Sequence, residues 1–201
     1  GTFSMASAEL GVNVGVSANT GVFTAKGNEA MGTDEGHQYD RAISVFGYGS
    51  VFIEKTLGDY ITVGVDYNPD SLDSETATQV KDCEASRCTQ TIKVSFEDMT
   101  TGYIALNLTE NFYVKAGVTQ VDVISQESLD TGGTYGNTDL DGNMIAMGYN
   151  KELTNGVFLR AEGSYTDFDD IKLTASSGET RTARAKDIAG VTGKISIGKT
   201  F

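Results

Sequence analysis

Gly190-Val-Thr-Gly-Lys-Ile-Ser-Ile-Gly-Lys-Thr-Phe201, at the end of the chain, is the stretch that decides the fold. Every second residue, counted back from the end, belongs to a largely apolar face: Phe201, Lys199, Ile197, Ile195, Gly193 and Val191. The residues between them are all small or polar. Because side chains of a β-strand alternate between two faces, this stretch predicts a strand with one apolar and one polar face.

Composition and charge narrow the class of protein. The chain has 201 residues and a net charge of −13, which argues against nucleic-acid binding because that needs a basic face. No segment approaches the ~20 consecutive apolar residues of a membrane-spanning helix, so a helical membrane protein is excluded. Ala6-Ser7-Ala8 has the small residues that precede a signal-peptidase site, so residues 1–8 are interpreted as a leader remnant or an added segment.

Seven more segments carry the same alternation, which makes eight predicted strands: Leu10–Thr24, Arg41–Ile53, Ile61–Tyr67, Ile104–Leu108, Tyr113–Thr119, Ile145–Asn150, Val157–Tyr165 and Gly190–Phe201. Both faces of the second strand are mixed, so its orientation is left open. Turns after the second, fourth and sixth strands are short: Glu54–Asp59, Thr109–Asn111 and Leu153–Gly156. The last contains an Asn-Gly pair, which favours a tight reversal.

The remaining connections are long and acidic: Ala25–Asp40, Pro69–Asp98, Ser125–Gly142 and Asp167–Asp187. They hold 20 of the 28 acidic residues and 8 of the 15 basic ones. Within the second of them, Ile92, Val94 and Phe96 are read in phase with Ile104, which predicts a hairpin that extends well beyond the membrane. The acidity is explained by solubility and repulsion, or by divalent cations that bridge to anionic lipopolysaccharide; the spacing does not separate these.

The alternation of long and short connections predicts an all-β fold, a closed antiparallel eight-stranded transmembrane β-barrel with four long external loops and short periplasmic turns. The alternative architecture is a soluble lipocalin-like barrel, which requires an apolar interior and a polar exterior. In the membrane barrel, Val63, Val65, Leu106, Val118, Met147, Leu159 and Ile195 are expected to contact lipid.

With its Gly-Lys-Ile-Ser-Ile-Gly-Lys-Thr-Phe ending, eightfold alternation and loop asymmetry, the chain resembles the small outer-membrane barrel family of the OmpA transmembrane domain, OmpX and the opacity-type proteins. The resemblance covers residues 9–201 as a single domain and implies a location in the bacterial outer membrane. It implies lipid and lipopolysaccharide as surroundings, and recognition of Ile195, Ile197 and Phe201 by the barrel-insertion machinery. Lys199 departs from the family pattern, which usually has Tyr or another apolar residue there.

Five charged residues fall on the polar faces of the predicted strands and form a predicted lumen charge network: Asp66, Lys115, Arg160, Glu162 and Lys194. An eight-stranded barrel is too narrow for a wide water column, so these charges are expected to pair. One interpretation is a salt-bridged plug that keeps the barrel shut. The other is a gate or narrow ion path.

Cys83 and Cys88 lie in a polar stretch of the second long connection. Two thiolates and a remote histidine cannot complete a tetrahedral metal shell, so we predict a local disulfide at the hairpin tip and an oxidising compartment.

Neither a cofactor nor a metal site is predicted. Asn137-Thr-Asp-Leu-Asp-Gly-Asn143 resembles a calcium-loop fragment but has Asn at its first position and Gly148 where the closing Glu belongs. A single histidine, His37, and the absence of Gly-x-Ser-x-Gly favour a protein that is not an enzyme.

Three function classes follow from these features. The first is a structural or surface protein whose acidic loops serve envelope integrity, adhesion or recognition. In this class, an extracellular partner would bind at the loops. The second is a narrow diffusion pore, and the third is a surface enzyme with groups at the barrel rim. The charged inward faces and large external hairpins favour the first class.

Overall fold

A computed structural model describes residues 10–31, 40–73, 77–83, 86–128, 138–174 and 181–201. Side chains are described for residues 10–26, 43–72, 95–124, 138–170 and 186–201. The predicted leader segment, residues 1–8, lies outside these ranges, as does His37.

The chain forms an antiparallel β-barrel. Its wall consists of eight strands, which are β1 (Val12–Met31), β2 (Asp40–Leu57), β3 (Ile61–Asn68), β6 (Ser86–Asn107), β7 (Phe112–Ser128), β8 (Thr138–Glu152), β9 (Val157–Phe168) and β11 (Arg181–Thr200). Three shorter strands, β4 (Leu72–Asp73), β5 (Ala77–Cys83) and β10 (Ile171–Thr174), pair at the end away from the short turns. The predicted fold class is confirmed.

Pairing of β1 with β11 closes the barrel, from Asn13↔Thr200 to Met31↔Arg181. Because the strands are staggered, a path that steps from each residue to its partner on the next strand does not return to its starting point. It begins at Val14 on β1 and ends at Thr24, ten residues further along the same strand. The path runs through Val14, Ile53, Val65, Gly102, Val118, Asn143, Asp167, Ala189 and Thr24. Such a stagger inclines the strands by roughly 35–45° to the barrel axis. The interior of an eight-stranded barrel is just wide enough for side chains to fill.

The three short turns, the start of β1 and the end of β11 all lie at one rim of the barrel. In the third turn, Asn155 and Gly156 both have positive φ, 62° and 77°, as a tight Asn-Gly reversal requires. The single helical turn among the described residues is the 3₁₀ turn Thr154–Gly156. Within that same part of the chain, no helix is long and apolar enough to cross a membrane.

Several strands are longer than the sequence pattern predicts. β6 has 22 residues, and β1 and β11 have 20 each, against the ~9–11 residues that cross a bilayer. Parts of the predicted loops Ala25–Asp40, Pro69–Asp98, Ser125–Gly142 and Asp167–Asp187 are therefore strand. These extensions have polar residues on both faces, so the hydrophobic alternation does not reveal them. Outside the membrane, a strand no longer needs an apolar outer face.

The predicted phase of Phe96 is wrong. The β6–β7 register shifts between Glu97 and Thr100, where Asp98 has a φ of 52°. This bulge turns Phe96 toward the interior, where it packs against the buried core, whereas Ile104 faces outward and is 59% exposed. A bulge adds one residue to a strand and so reverses the faces beyond it.

The structure orients β2, which the sequence left open. Phe52 and Glu54 are buried inside, whereas Ile43, Val45 and Val51 are exposed on the outer face. The sequence pattern predicts Glu54 in a turn, but the strand continues to Leu57 and keeps Glu54 in phase with Phe52.

A broad apolar surface surrounds the barrel. It is built from outward side chains that are 40–68% exposed, including Val14, Val16, Val65, Ile104, Leu106, Val118, Ile145, Met147, Leu159, Val191, Ile195 and Ile197. Of the residues expected to contact lipid, only Val63 is half-buried. Since a soluble barrel would have a polar exterior, this surface belongs in a bilayer. Following the orientation expected from the sequence, we call the rim with the short turns periplasmic and the opposite end extracellular.

Candidate functional site

The barrel interior contains a charged layer nearer the periplasmic rim. Glu54 on β2 and Arg160 on β9 form a bidentate pair, with Nη2–Oε1 at 2.5 Å and Nη1–Oε2 at 3.1 Å. Tyr103 donates its hydroxyl to Glu54 at 2.7 Å, and Asn13 donates its amide at 2.9 Å. The Arg160 Nε donates to Asn150 at 2.6 Å. Both charges of the pair therefore have several partners, which is what a buried ion pair needs to be tolerated.

A second group of ion pairs lies beside the first. Lys115 on β7 donates to Glu162 on β9 at 2.6 Å, and Tyr113 donates to the same carboxylate oxygen at 2.7 Å. Lys194 on β11 donates to Asp66 on β3 at 2.6 Å and lies 4.0 Å from Glu162. The Lys194–Asp66 pair joins strands three apart in the wall and so crosses the lumen, whereas the Lys115–Glu162 pair passes over one intervening strand, β8.

Aromatic rings complete this layer. The Arg160 guanidinium lies 5.0 Å from the Phe52 ring centroid and 5.1 Å from that of Phe158, while the Lys115 ammonium lies 3.9 Å from the Tyr103 centroid. A cation over an aromatic face is attracted by the ring quadrupole. The side chains of the ion pair are almost fully buried, with Glu54 3% and Arg160 8% exposed, which strengthens their electrostatic interaction.

Charge balance explains why the layer is stable and reveals what the sequence reasoning missed. The five predicted residues all belong to it, but they comprise three cations and two anions, and Glu54 supplies the third anion. An unpaired charge in a closed barrel costs several kcal/mol, so the excess of one cation was a signal that another carboxylate faced inward. Glu54, Tyr103 and Tyr113 are the members that the pattern did not identify.

An apolar layer fills the extracellular half of the lumen. Four phenylalanine rings form a row across it, with centroid separations of 6.3 Å (Phe168–Phe23), 5.5 Å (Phe23–Phe46) and 6.4 Å (Phe46–Phe96). Buried aliphatic side chains from three strands pack beside the row: Val121, Val123, Leu140 and Ile188. The sequence did not predict this layer, because it expected inward faces to be polar throughout.

Two cavities lie inside the described part of the barrel, on either side of the Glu54–Arg160 pair. A wide vestibule of about 740 Å³ opens at the periplasmic rim and has Arg160, Tyr113 and Phe158 among its walls. A small cavity of about 40 Å³, lined by Tyr48, Asp66, Lys194 and Phe168 among others, lies between the charged and apolar layers. The lumen is therefore obstructed twice in series.

The cysteine side chains lie outside the described residues, so their oxidation stays a prediction. In the β5–β6 backbone register Cys83 is opposite Ser86 and Cys88 is opposite Lys81, which makes the two cysteines diagonal neighbours. A disulfide across a diagonal needs the strands to approach more closely than a regular ladder brings them.

We expect non-reducing preparation to yield a chain lighter by two hydrogens, since a short polar hairpin in an oxidising compartment favours the bridge. Intact-mass spectrometry with and without reductant measures this. Alkylation of both thiols in the unreduced protein would show that the prediction is wrong. Replacing both cysteines by serine should change the hairpin tip and leave barrel stability unaffected, because the closed loop is short.

Of the residues expected to direct insertion, Ile195 and Ile197 lie on the outer face of β11, and Phe201 directly follows the strand. Ile195, Ile197 and Phe201 are 63%, 50% and 40% exposed, and the Lys199 ammonium lies 5.3 Å from the Phe201 ring centroid. A lysine near the rim can keep its charge in water while its stem covers apolar surface. The geometry leaves this row accessible from the membrane side.

The sequence matches no family model and no curated protein. Among solved structures, the outer membrane protein OprG from Pseudomonas aeruginosa aligns with a TM-score of 0.58 and 15% identity, over 93% of this chain and 96% of that one. The protease OmpT from Escherichia coli aligns at 0.49 and 11%, over 94% and 96% of the two chains. Ail from Yersinia pestis, an attachment invasion locus protein, aligns at 0.44 and 10%, over 92% and 98%. The likeness to OprG is a likeness of β-barrel fold.

Proposed function

We propose that the protein is a closed, non-conducting outer-membrane barrel that acts at the cell surface through its strand extensions and acidic loops, in envelope integrity or in adhesion and recognition. The observation that carries this is the double obstruction of the lumen. The charged layer blocks the periplasmic half, and the row of Phe168, Phe23, Phe46 and Phe96 blocks the extracellular half.

The extracellular wall supports a role at the surface. Strands β1, β6 and β11 are about twice as long as a crossing requires, so they continue beyond the membrane. Outside the apolar surface, Glu97, Asp122 and Asp139 are register partners on three adjacent strands and make one wall acidic. Surface segments supported by a rigid scaffold are where binding residues usually lie.

Single-channel recording of the purified monomer in planar bilayers tests the proposal. We expect silence or rare small openings from the unaltered protein, because a path through the barrel has to pass both layers. Large, steady conductance would favour the alternative function, a narrow diffusion pore, to which the periplasmic vestibule would be the entrance.

The two layers can be opened separately. Glu54→Ala with Arg160→Ala removes the central pair, and Phe23→Ala with Phe46→Ala removes the middle of the phenylalanine row. Since the obstructions are in series, each double variant is expected to stay silent and the quadruple variant to conduct. Heat-modifiable migration in a gel verifies that each variant is folded. Steady conductance from either double variant would show that one layer alone closes the barrel.

We include in this proposal that the protein is not an enzyme. Among the described side chains, the buried acids and bases are engaged in ion pairs inside the barrel, where a surface substrate does not reach them. Incubation of the folded barrel with a panel of fluorogenic peptide and ester substrates should give no hydrolysis above that of a heat-unfolded sample. Hydrolysis lost on heating would favour the rim enzyme.

We also propose that the chain belongs with the small outer-membrane barrels of the OmpA transmembrane domain, OmpX and opacity type. The eight wall strands and the short turns at one rim support this. Recognition of Ile195, Ile197 and Phe201 by the insertion machinery belongs to the same proposal. Replacing all three by serine should slow assembly in cells more than refolding into lipid vesicles, and equal slowing would argue against recognition.

A further inference from the structure

Toward the extracellular end, the barrel wall is interrupted on one side of β2. β2 pairs with β3 from Leu57 to Val51, but β3 ends at Asn68 while β2 continues to Asp40. The chain that follows β3 stays with β6 instead: β4 and β5 both pair with β6, and among the described residues neither pairs with β2. Residues 43–49, on their side away from β1, therefore form a strand edge, which we call the β2 edge.

Backbone groups point out of the β2 edge at every second residue. In an antiparallel strand, the N–H and C=O of one residue point to the same side, and those of the next residue point to the other. Thr56 donates its N–H to Gly11 on the β1 side, so the even-numbered residues of β2 face β1. Ile43, Val45 and Gly47 thus direct their donors and acceptors away from β1, out of the edge.

The lowest donor of the edge is bonded to a side chain rather than to a strand. Gly49 donates its N–H to the Asp70 carboxylate at 3.0 Å, and Asp70 donates its own N–H to the Asn68 side chain at 2.8 Å. A carboxylate accepts a hydrogen bond at a strand edge without continuing the sheet. Asp70 therefore occupies the position that a backbone carbonyl of an added strand would take.

Apolar side chains beside the edge are incompletely covered on both faces of β2. Phe52, further toward the periplasm, is 4% exposed, whereas Phe46 is only half-buried although it also points inward. On the outward face, Ile43 and Val45 are 63% and 68% exposed. A strand added here would cover apolar surface on both faces as well as pair with the backbone.

The upper part of the β2 edge lies at the outer border of the membrane. Gly49 and Ile195 are both register partners of Ala18, and Ile195 lies near the middle of the apolar surface. Val45 is four residues further toward the extracellular end, which is about 13 Å along the strand and roughly 10 Å in height after the tilt. Ile43 lies roughly 5 Å higher, and half of the hydrocarbon core is about 15 Å thick. A molecule outside the cell can therefore reach this edge.

A second copy of the chain in the same membrane does not fit the β2 edge. Two barrels side by side, with the same side outward, are related by an axis along the membrane normal. Strands that are inclined by roughly 35–45° to that axis then cross at about 70–90°. A hydrogen-bonded ladder needs strands that run nearly parallel or antiparallel. The edge is therefore suited to a separate polypeptide that can choose its own direction.

We propose that the β2 edge binds an extended segment of an extracellular polypeptide, which pairs with it as an added strand. Unpaired strand edges are templates for such pairing, and the main-chain hydrogen bonds supply affinity. The segment's side chains would meet Phe46 on the inner face and Val45 on the outer face, which favours β-branched and aromatic residues. Asp70, once displaced from Gly49, favours a basic over an acidic residue nearby. The inference rests on the proposed function in one respect, that this end of the barrel is at the cell surface.

Fluorescence anisotropy of a labelled peptide with the folded barrel in micelles tests the edge. The probe has about ten residues, alternating valine and threonine, with lysine at both ends. Val45→Pro removes an N–H that points out of the edge, where proline is accepted because the donor faces away from the sheet. We expect it to weaken binding about tenfold. Val45→Thr keeps both the N–H and the β-branched shape and should bind within about twofold of the unaltered protein. Heat-modifiable migration verifies that both variants are folded.

Two altered probes test the kind of contact on the unaltered barrel. A probe with methylated backbone nitrogens cannot donate to β2 and should bind at least about tenfold more weakly, although it is more apolar. A probe with glutamate in place of lysine should also bind more weakly, because Asp70 repels it. If the methylated and unmethylated probes bound equally, the contact would be adhesion of side chains and the proposal would be overturned.

The remaining outcomes are equally decisive. Equal binding by the two Val45 variants, or no binding of the lysine probe by the unaltered barrel, would overturn the proposal. A dimer in micelles that Val45→Pro dissociates would identify a second copy as the occupant and overturn the assignment to a separate polypeptide. Silent single-channel recordings without peptide binding would reject the β2 edge alone, whereas steady conductance with peptide binding would reject the closed barrel alone.

Discussion

Arg160→Met is expected to lower the free energy of unfolding by about 3–5 kcal/mol, because it leaves the Glu54 carboxylate buried without its cation. Glu54 is 3% exposed and accepts hydrogen bonds from Tyr103, Asn13 and both terminal nitrogens of Arg160. Methionine preserves much of the side-chain volume between Phe52 and Phe158, so the loss is electrostatic rather than a cavity. Urea unfolding in lipid vesicles measures it.

Two controls test whether the lost stability comes from the uncompensated buried charge. Adding Glu54→Gln to Arg160→Met removes the uncompensated charge and should recover most of the loss, since a neutral pair of similar shape costs little. Lys26→Met, which breaks an exposed pair, should change stability by less than about 1 kcal/mol. Since the chain has no tryptophan, unfolding is followed by gel migration and circular dichroism. If the single and double variants were equally stable, the unpaired charge of Glu54 would not be the cause of the lost stability.

Ile195→Arg is expected to destabilise the folded barrel by about 2–4 kcal/mol, because it places a charge on the lipid face near the middle of the membrane. Ile195 is 63% exposed and lies in one row with Ala18 and Ala161, both small residues that offer a guanidinium no partner on that face.

Gln120→Arg is the matched control. Gln120 is also an exposed outward residue, but it follows Val118 toward the extracellular side, and arginine there should change stability by no more than about 0.5 kcal/mol. The same urea titration is used for both variants. Equally small effects at the two positions would place Ile195 in water and contradict the assignment of the outer face to lipid.

Period-two alternation predicted the fold well because a membrane imposes it. Between Val191 and Ile197, lipid on one side and a narrow lumen on the other require opposite chemistry on successive residues. This requirement disappears above the membrane, so the sequence could not show that β6 reverses its faces at Asp98. Whether Phe96 faces inward or outward depends on that one bulge, and no hydrophobic pattern indicates its position.

Only part of the charged layer could be predicted from the sequence. Lys115, Arg160 and Glu162 lie on strands whose outer faces are clearly apolar, so their inward direction follows from alternation. Glu54 lies near the end of a strand whose two faces are both mixed, so alternation could not place it. The phenylalanine row was missed for another reason: it joins residues distant in the chain, and only the register of the closed barrel brings them together.

Closure of the barrel has a consequence for how the molecule folds. The seam between β1 and β11 joins residues as far apart as Asn13 and Thr200, which are 187 positions apart in the chain. Contacts of such long range form slowly, because the entropy of closing the loop is lost before the contact stabilises anything. Until they form, both terminal strands present unpaired edges of about 20 residues, each a template for pairing with another chain. Slow closure of the seam therefore lengthens the time during which the chain is open to aggregation, whatever the stability of the finished wall.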